Sequence, residues 1–270
     1  MLINGVPGDR IDIHDRGLQY GDGIFRTLRI MQGLPRQWPR HYRKLKQDCA
    51  ALGLVCPEAD LLADELRQLA ATTRPDGVAK IIITRGNSER GYTLPSSMTP
   101  NRILMISPAP DFPDKYRLHG VKLRVCDLCL SHQPRLAGVK HLNRLENVLA
   151  TMEWNDPEIA EGLLLDQEGN VVEGTRSNLF LVRGGELYTP DLSRCGVAGV
   201  QRDRVLDWAS ANAVACRATQ LSLADVLAAD EVFLVNSVIG LWPVRQLQER
   251  IWQQHSLSLR IGEWLNDATD

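Results

Sequence analysis

Lysine is the scarce cation of this chain. Of its 31 basic residues only Lys44, Lys46, Lys80, Lys115, Lys122 and Lys140 are lysines, so few amines are available for covalent chemistry with a carbonyl. No apolar run approaches the roughly 20 residues needed to cross a bilayer. The first segment, MLINGVPGDRIDIHDRG, has acids and a turn where a signal peptide needs a long apolar stretch. The expectation is a soluble cytoplasmic protein without a membrane partner. A formal net charge of −2 leaves no broad basic face for nucleic acid. Six cysteines without a secretory signal read as reduced thiols. Cys126-Asp127-Leu128-Cys129 stands alone, with no second CxxC and no histidine pair at zinc-finger spacing, and the histidines form no HExxH, so no metal is expected. A GxSxG elbow and a Walker A loop are both missing. Gly21-Asp22-Gly23 lacks the third glycine and the helix of a dinucleotide fingerprint, and reads as a turn entering a strand.

What is present is ordinary globular material: 270 residues, 44% hydrophobic and 24% charged, enough for two modest domains or one large one. Strands are expected at Leu2-Ile3, Arg10 to Ile13, Ile24 to Met31, Leu34 to Trp38, Val78 to Thr84 and Arg102 to Ser107. Apolar residues at helical spacing predict helices from Pro39 to Leu52 and from Glu58 to Ala71. The stretch SPAPDFPDKYR, whose prolines disfavour helix and central strand alike, reads as the break. Residues 1–110 then form a small N-terminal α/β domain, 111–118 a linker, and 119–270 a larger C-terminal α/β domain carrying Lys140. In the second domain Val121 to Cys126, Gly162 to Asp166, Val171 to Glu173, Leu179 to Val182 and Glu231 to Val235 read as strands. Arg144 to Glu153, Val200 to Asn212 and Ser256 to Asn266 read as helices. The fold class is α+β or α/β with two unequal domains.

Three stretches carry chemistry. In GVKHLNRLENVLA, Lys140 follows a Pro/Gly-bearing loop and precedes a helix, a junction from which a lysine can point into a cleft and act as a neutral amine. In VVEGTRSNLFLV, Glu173 sits among apolar residues, where a carboxylate needs a partner. A protonated pyridine nitrogen is one such partner; Arg176 or another arginine is the blander one. In GVAGVQRDRVL, Gly196 and Gly199 open a helix whose first N–H groups suit a phosphate, and Ser237 after a buried strand can add a hydroxyl. An amine, a carboxylate and an anion cradle are together what a phosphorylated aldehyde cofactor requires.

In order and wording these stretches resemble the fold-type IV enzymes that use pyridoxal 5′-phosphate (PLP): branched-chain aminotransferases, D-amino-acid aminotransferases and aminodeoxychorismate lyases. The resemblance runs through YGDGIFRTLRI, HYRKL, RGNSERGY, KHLNRLEN, EGTRSNLFLV, GVAGVQRD and NSVIGLWPV, and AGVKHLNRLEN with TRGNSERGY leans toward the lyase members. It implies that Lys140 is the Schiff-base lysine and acid/base, that Glu173 keeps the pyridine nitrogen protonated, and that Asn178 supports the ring's surroundings. It also implies phosphate binding by Gly199, Val200, Gln201 and Ser237. The family's phosphate arginine lies in His-x-x-Arg-Leu, where this chain has Lys44, so either Lys44 or the adjacent Arg43 fills that place. Leu145 stands where branched-chain aminotransferases have a tyrosine. For a substrate with two carboxylates the candidates are Arg29, Arg85, Arg90, Tyr92 and Asn236, with Thr27 as a proton relay. The implied reaction converts 4-amino-4-deoxychorismate to p-aminobenzoate and pyruvate, in a cytoplasmic homodimer with the cofactor between the two domains. The alternatives are an aminotransferase on the same fold and a non-catalytic binding protein with a decayed site.

Overall fold

The computed structural model describes residues 1–95 and 97–267. Its contacts divide the chain into two compact units, one formed by Met1–Pro110 with Val139–Asn143, the other by Asp111–Gly138 with the described residues from Arg144 onward.

Among the described residues the first unit contains β1 (Leu2–Ile3), β2 (Val6–Pro7), α1 (Arg16–Tyr20), β3 (Gly23–Met31), β4 (Leu34–Pro35), α2 (Trp38–Leu52), α3 (Ala59–Thr72), β5 (Gly77–Thr84) and β6 (Asn101–Ser107). The strands form one sheet in the order β2-β1-β6-β5-β3-β4. Strict alternation along β3 sends Ile24, Leu28 and Ile30 into a core with Leu45 and Cys49 of α2 and Leu62, Leu66 and Leu69 of α3. Phe25, Thr27 and Arg29 take the opposite face. The returning strand ends at Pro35, not at Trp38, because Gln37 adopts φ 56° and Pro39 sits in the first turn of α2. Arg10 to Ile13 forms no strand.

The second unit contains α4 (Asp114–His119), β7 (Val121–Leu130), α5 (Leu145–Thr151), β8 (Ile159–Asp166), β9 (Val171–Gly174), β10 (Asn178–Arg183), β11 (Glu186–Pro190), α6 (Val200–Ala211), β12 (Cys216–Thr219), α7 (Leu223–Leu227), β13 (Glu231–Asn236), β14 (Gly240–Leu247), β15 (Arg250–Ile251) and α8 (Ser256–Asp267). Its sheet runs β12-β11-β10-β13-β14-β7-β8-β9, with β15 on β14. Phe180 and Phe233 stack at 5.2 Å on a face covered by α6 and α8, where Val205, Trp208 and Ile261 are buried. Helix α4 occupies part of the stretch expected to be linker, since Pro113 stands at its N-cap, where a missing N–H costs the helix nothing.

The expected assignment of Lys140 to the C-terminal domain is corrected. Val139–Asn143 clusters with the first unit, because its backbone is sewn to β3. Phe25 N donates to Lys140 O (2.9 Å), Leu142 N donates to Gly23 O (3.0 Å), and Ile24 pairs with His141 in an isolated antiparallel bridge.

Candidate active site

In the first unit the main chain of Lys140 is held on both sides. Its carbonyl accepts from Phe25, and its N–H donates to Asp48 Oδ2 (3.3 Å). The side chain is half-buried, with Nζ 4.7 Å from the centroid of the Phe25 ring. Thr27 and Arg29 continue the same face of β3, Thr27 half-buried and Arg29 exposed. Lys80, in register with Thr27 on β5, brings its Nζ to 5.1 Å from the Phe25 ring. Lys80 is not singled out by the sequence reading, although a lone lysine beside the apolar run Ile81-Ile82-Ile83 is a signal.

Asp48 was also missed. It is buried on the inner face of α2 and pairs with Arg26, an inward-facing arginine of β3. Burial pushes the Asp48 carboxyl up, against the pull of the Arg26 charge. The signal was a charged residue at an inward position of an alternating strand, since such a charge needs a partner. Lys44 is half-buried one turn before Asp48, whereas Arg43 is exposed. Of the two phosphate candidates, Lys44 shares the inner side of the helix with His41 and Asp48.

The RGNSERGY arginines separate. Arg85 donates from Nε to Asp22 Oδ2 (2.8 Å), from Nη1 to Gly53 O (3.0 Å) and from Nη2 to Leu52 O (2.7 Å), so its guanidinium caps the end of α2. The expected substrate role of Arg85 gives way to that structural one. Arg90 and Tyr92 are exposed, Tyr92 at 84%.

In the second unit Glu173, on β9 and only 4% exposed, accepts from Val197 N at 2.8 Å. Arg176, its blander expected partner, turns instead to Glu161, which also accepts from Thr175 Oγ1 and Arg176 N. Burial raises the Glu161 pKa, opposed by the Arg176 charge and these hydrogen bonds. Asn178, at the start of β10, uses both ends of its amide: Nδ2 donates to Val197 O (2.8 Å) and Oδ1 accepts from Gly199 N (3.1 Å). A Cβ on Gly199 would lie 2.4 Å from that oxygen, so any side chain there would displace the Asn178 amide. The Gly199 N–H is therefore spent on Asn178 and unavailable to a phosphate, which corrects that expectation. Val200 and Gln201 open α6, and as its first two residues their N–H groups have no intrahelical acceptor. Asn236 is likewise committed: Nδ2 donates to Arg176 O (3.1 Å), and Oδ1 accepts from Val238 N (2.8 Å) and Ile239 N (2.9 Å). It holds the turn that presents half-buried Ser237. Among the cysteines, burial pushes the Cys126 and Cys195 thiols up to about 12, which makes them poor nucleophiles.

The group chemistry is thus a sheltered amine in one unit and a buried carboxylate bound to a glycine loop at a helix N-terminus in the other. A model of the family described as amino-transferase class IV matches residues 23–247. The chain belongs to this class IV family. Its mixed α/β units are those of fold type IV, as expected from the resemblance. It is 36% identical over 245 residues to the aminodeoxychorismate lyase of Vibrio harveyi, covering 90% of this chain and 89% of that one. The crystal structure of 4-amino-4-deoxychorismate lyase from Pseudomonas aeruginosa matches with a TM-score of 0.95 at 45% identity, over 100% of this chain and 99% of that one. The D-alanine aminotransferase of Bacillus licheniformis is 27% identical over 92% of this chain and 88% of its own.

Proposed function

We propose that this class IV protein is a PLP-dependent carbon–oxygen lyase that converts 4-amino-4-deoxychorismate to p-aminobenzoate and pyruvate, a step of folate synthesis. The observation that carries the reading is identity along the whole chain, 45% and 36% to two aminodeoxychorismate lyases against 27% to a D-alanine aminotransferase. The donor set fits the cofactor: an amine on a fixed backbone, a buried carboxylate, and a pair of helix-opening amides.

Bound there, PLP supplies an electron sink for the bond broken at the amine-bearing carbon. Lys140 is the residue that would hold the cofactor's aldehyde; once the substrate's amine has taken its place there, the freed Nζ would be the base for the proton on the amine-bearing carbon and the acid for the methylene of the departing enolpyruvyl group. Thr27, along the same strand face as Phe25, relays protons to and from that amine. Glu173 would hold the proton on the pyridine nitrogen and so keep the ring electron-poor. The N–H groups of Val200 and Gln201 and the hydroxyl of Ser237 would bind the phosphate, and Lys44 would supply charge toward it. Asn178 fixes the loop that presents those amides. Arg29, Arg90 and Tyr92 bind the substrate carboxylates, since a desolvated anion needs charged or hydrogen-bonding donors.

The test is incubation of the PLP-loaded protein with 4-amino-4-deoxychorismate, following fluorescent p-aminobenzoate and pyruvate. Formation of both without an added keto acid is the expected result. Amino transfer that depends on a keto-acid acceptor would replace this reading by a D-amino-acid or branched-chain aminotransferase.

The working form is a cytoplasmic homodimer. No helix among the described residues is long and apolar enough to cross a membrane. Helix α5 and its cap expose Leu145, Val148, Leu149 and Met152, the last at 70%, at spacings that make one continuous apolar stripe. A stripe of that kind is covered in a stable assembly. Replacing Leu149 and Met152 together by Glu is expected to halve the mass measured by light scattering. An unchanged mass would remove this helix from the interface.

A further inference from the structure

The segment HDRGLQYGDG contains an arginine that the reaction itself does not use. Arg16 opens α1 and is 3% exposed, yet both of its terminal nitrogens donate to a loop more than 70 residues away. Nη1 donates to Ser88 Oγ (3.1 Å) and Gly91 O (3.0 Å), and Nη2 donates to Tyr92 O (3.3 Å). Nε donates to Asp22 Oδ2 (2.9 Å), the same oxygen that Arg85 holds. Burial pushes the Asp22 pKa up, but the bonds from Arg85 and Arg16 outweigh it and keep the carboxyl below its ordinary value. The guanidinium also lies 4.9 Å from the Tyr20 ring centroid, and the Tyr20 hydroxyl accepts from Gly91 N (3.2 Å).

The support under this arginine is rigid. Asp15 accepts from Leu18 N (3.1 Å), Thr84 Oγ1 (2.5 Å) and Asn101 Nδ2 (2.8 Å). A Cβ on Gly17 would fall 2.3 Å from Thr84 Cγ2, so α1 packs directly on the strand that feeds the loop. Arg16 N donates to Gly86 O (2.9 Å), and Ser88 N donates to His14 O (3.1 Å). The loop is therefore tied at Gly86 and Ser88 on one side and at Gly91 and Tyr92 on the other. Glu89 and Arg90 are left exposed at its tip, lining an open pocket of about 550 Å³ with His14, Gln19 and Tyr20. Burying a guanidinium is costly unless its donors are satisfied, and here they are satisfied by the Asp22 carboxylate, two loop carbonyls and a loop hydroxyl. A lysine has a single ammonium and cannot span Gly91 O and Tyr92 O as the planar fork does.

We infer that Arg16 is a positioning residue for substrate recognition, clasping Ser88–Tyr92 so that Arg90 is presented to a carboxylate of a dianionic substrate. The inference rests on the lyase reading proposed above. Arg16 touches neither cofactor nor substrate in this role; it acts through the loop.

The test uses PLP-loaded Arg16→Gln, Arg16→Lys and Tyr20→Phe. In Arg16→Gln the KM for 4-amino-4-deoxychorismate should rise ~10-fold or more while kcat changes far less, the signature of lost binding shared by ground and transition states. PLP affinity and the visible absorption band should match those of the parent. Arg16→Lys should recover little of the KM, and Tyr20→Phe should shift it in the same direction by a smaller factor. Limited trypsin digestion reads the clasp without the reaction, and cleavage after Arg90 should be faster in Arg16→Gln. An unchanged KM, or a loss of kcat and PLP affinity that parallels the rise in KM, overturns the inference. Equal cleavage after Arg90 in parent and variant overturns it as well, even if the parent proves to be no lyase. If Arg16→Gln fails to fold, the same readings are taken on Tyr20→Phe, where an unchanged KM with unchanged cleavage is the overturning result.

Discussion

Lys140→Ala is expected to cut p-aminobenzoate formation by at least ~10³-fold while leaving the fold intact, because in the proposed function it removes a covalent anchor and a proton carrier in one change. The fold should survive because the position is held by its main chain: the carbonyl accepts from Phe25 and the N–H donates to Asp48, and alanine keeps both. The measurements are the rate of p-aminobenzoate release, the borohydride-sensitive visible band, which should vanish, and the melting temperature, which should move little. Near-normal turnover in this variant would refute the assigned role.

Glu173→Gln should lower kcat by on the order of 10²-fold with only a modest change in PLP affinity. The side chain's Oε2 accepts from Val197 N at 2.8 Å, and in the proposed function its charge keeps the pyridine nitrogen protonated. Glutamine preserves an acceptor for Val197 but loses the charge, so the loop stays while the ring becomes a weaker sink. Glu173→Ala removes both and should also weaken PLP binding, because the Val197 N–H is then left buried without its acceptor. Steady-state kinetics beside a cofactor titration separate the two effects. Unchanged kcat in Glu173→Gln would show that the charge plays no part in turnover.

The elements that strong periodicity marked were legible from the sequence. Strand β3, the helices α2 and α3, and the buried strands β10 and β13 lie within a residue or two of their expected bounds. What escaped was decided by long-range pairing. Strand β12 is a short segment, mostly exposed, whose place comes from parallel pairing with β11. Val139–Asn143 has no periodicity at all, and it joins the first unit through bonds to β3 from more than a hundred residues away. At the site, residue types in order pointed to Lys140, Glu173 and the amides of α6. They could not reveal that Gly199 N and the Asn236 amide are already occupied, or that Arg85 serves the end of α2. Those are statements about partners, and a one-dimensional pattern carries none. Buried charges at inward positions, Arg26 and Asp48 above all, were the overlooked signal.

The residues proposed to seat the cofactor and those proposed to read the substrate differ in how firmly they are tied down. Glu173 and Asn178 are buried and bonded to main-chain atoms of the 196–199 loop, so few changes there are tolerated. Arg29 on β3 and Arg90 and Tyr92 on one loop present exposed side chains, none of which has a hydrogen bond to backbone among the described residues. Exchanging one of these exposed side chains should therefore alter which anion is read while leaving the seat of the electron sink unchanged, the separation that allows one scaffold to serve several reactions.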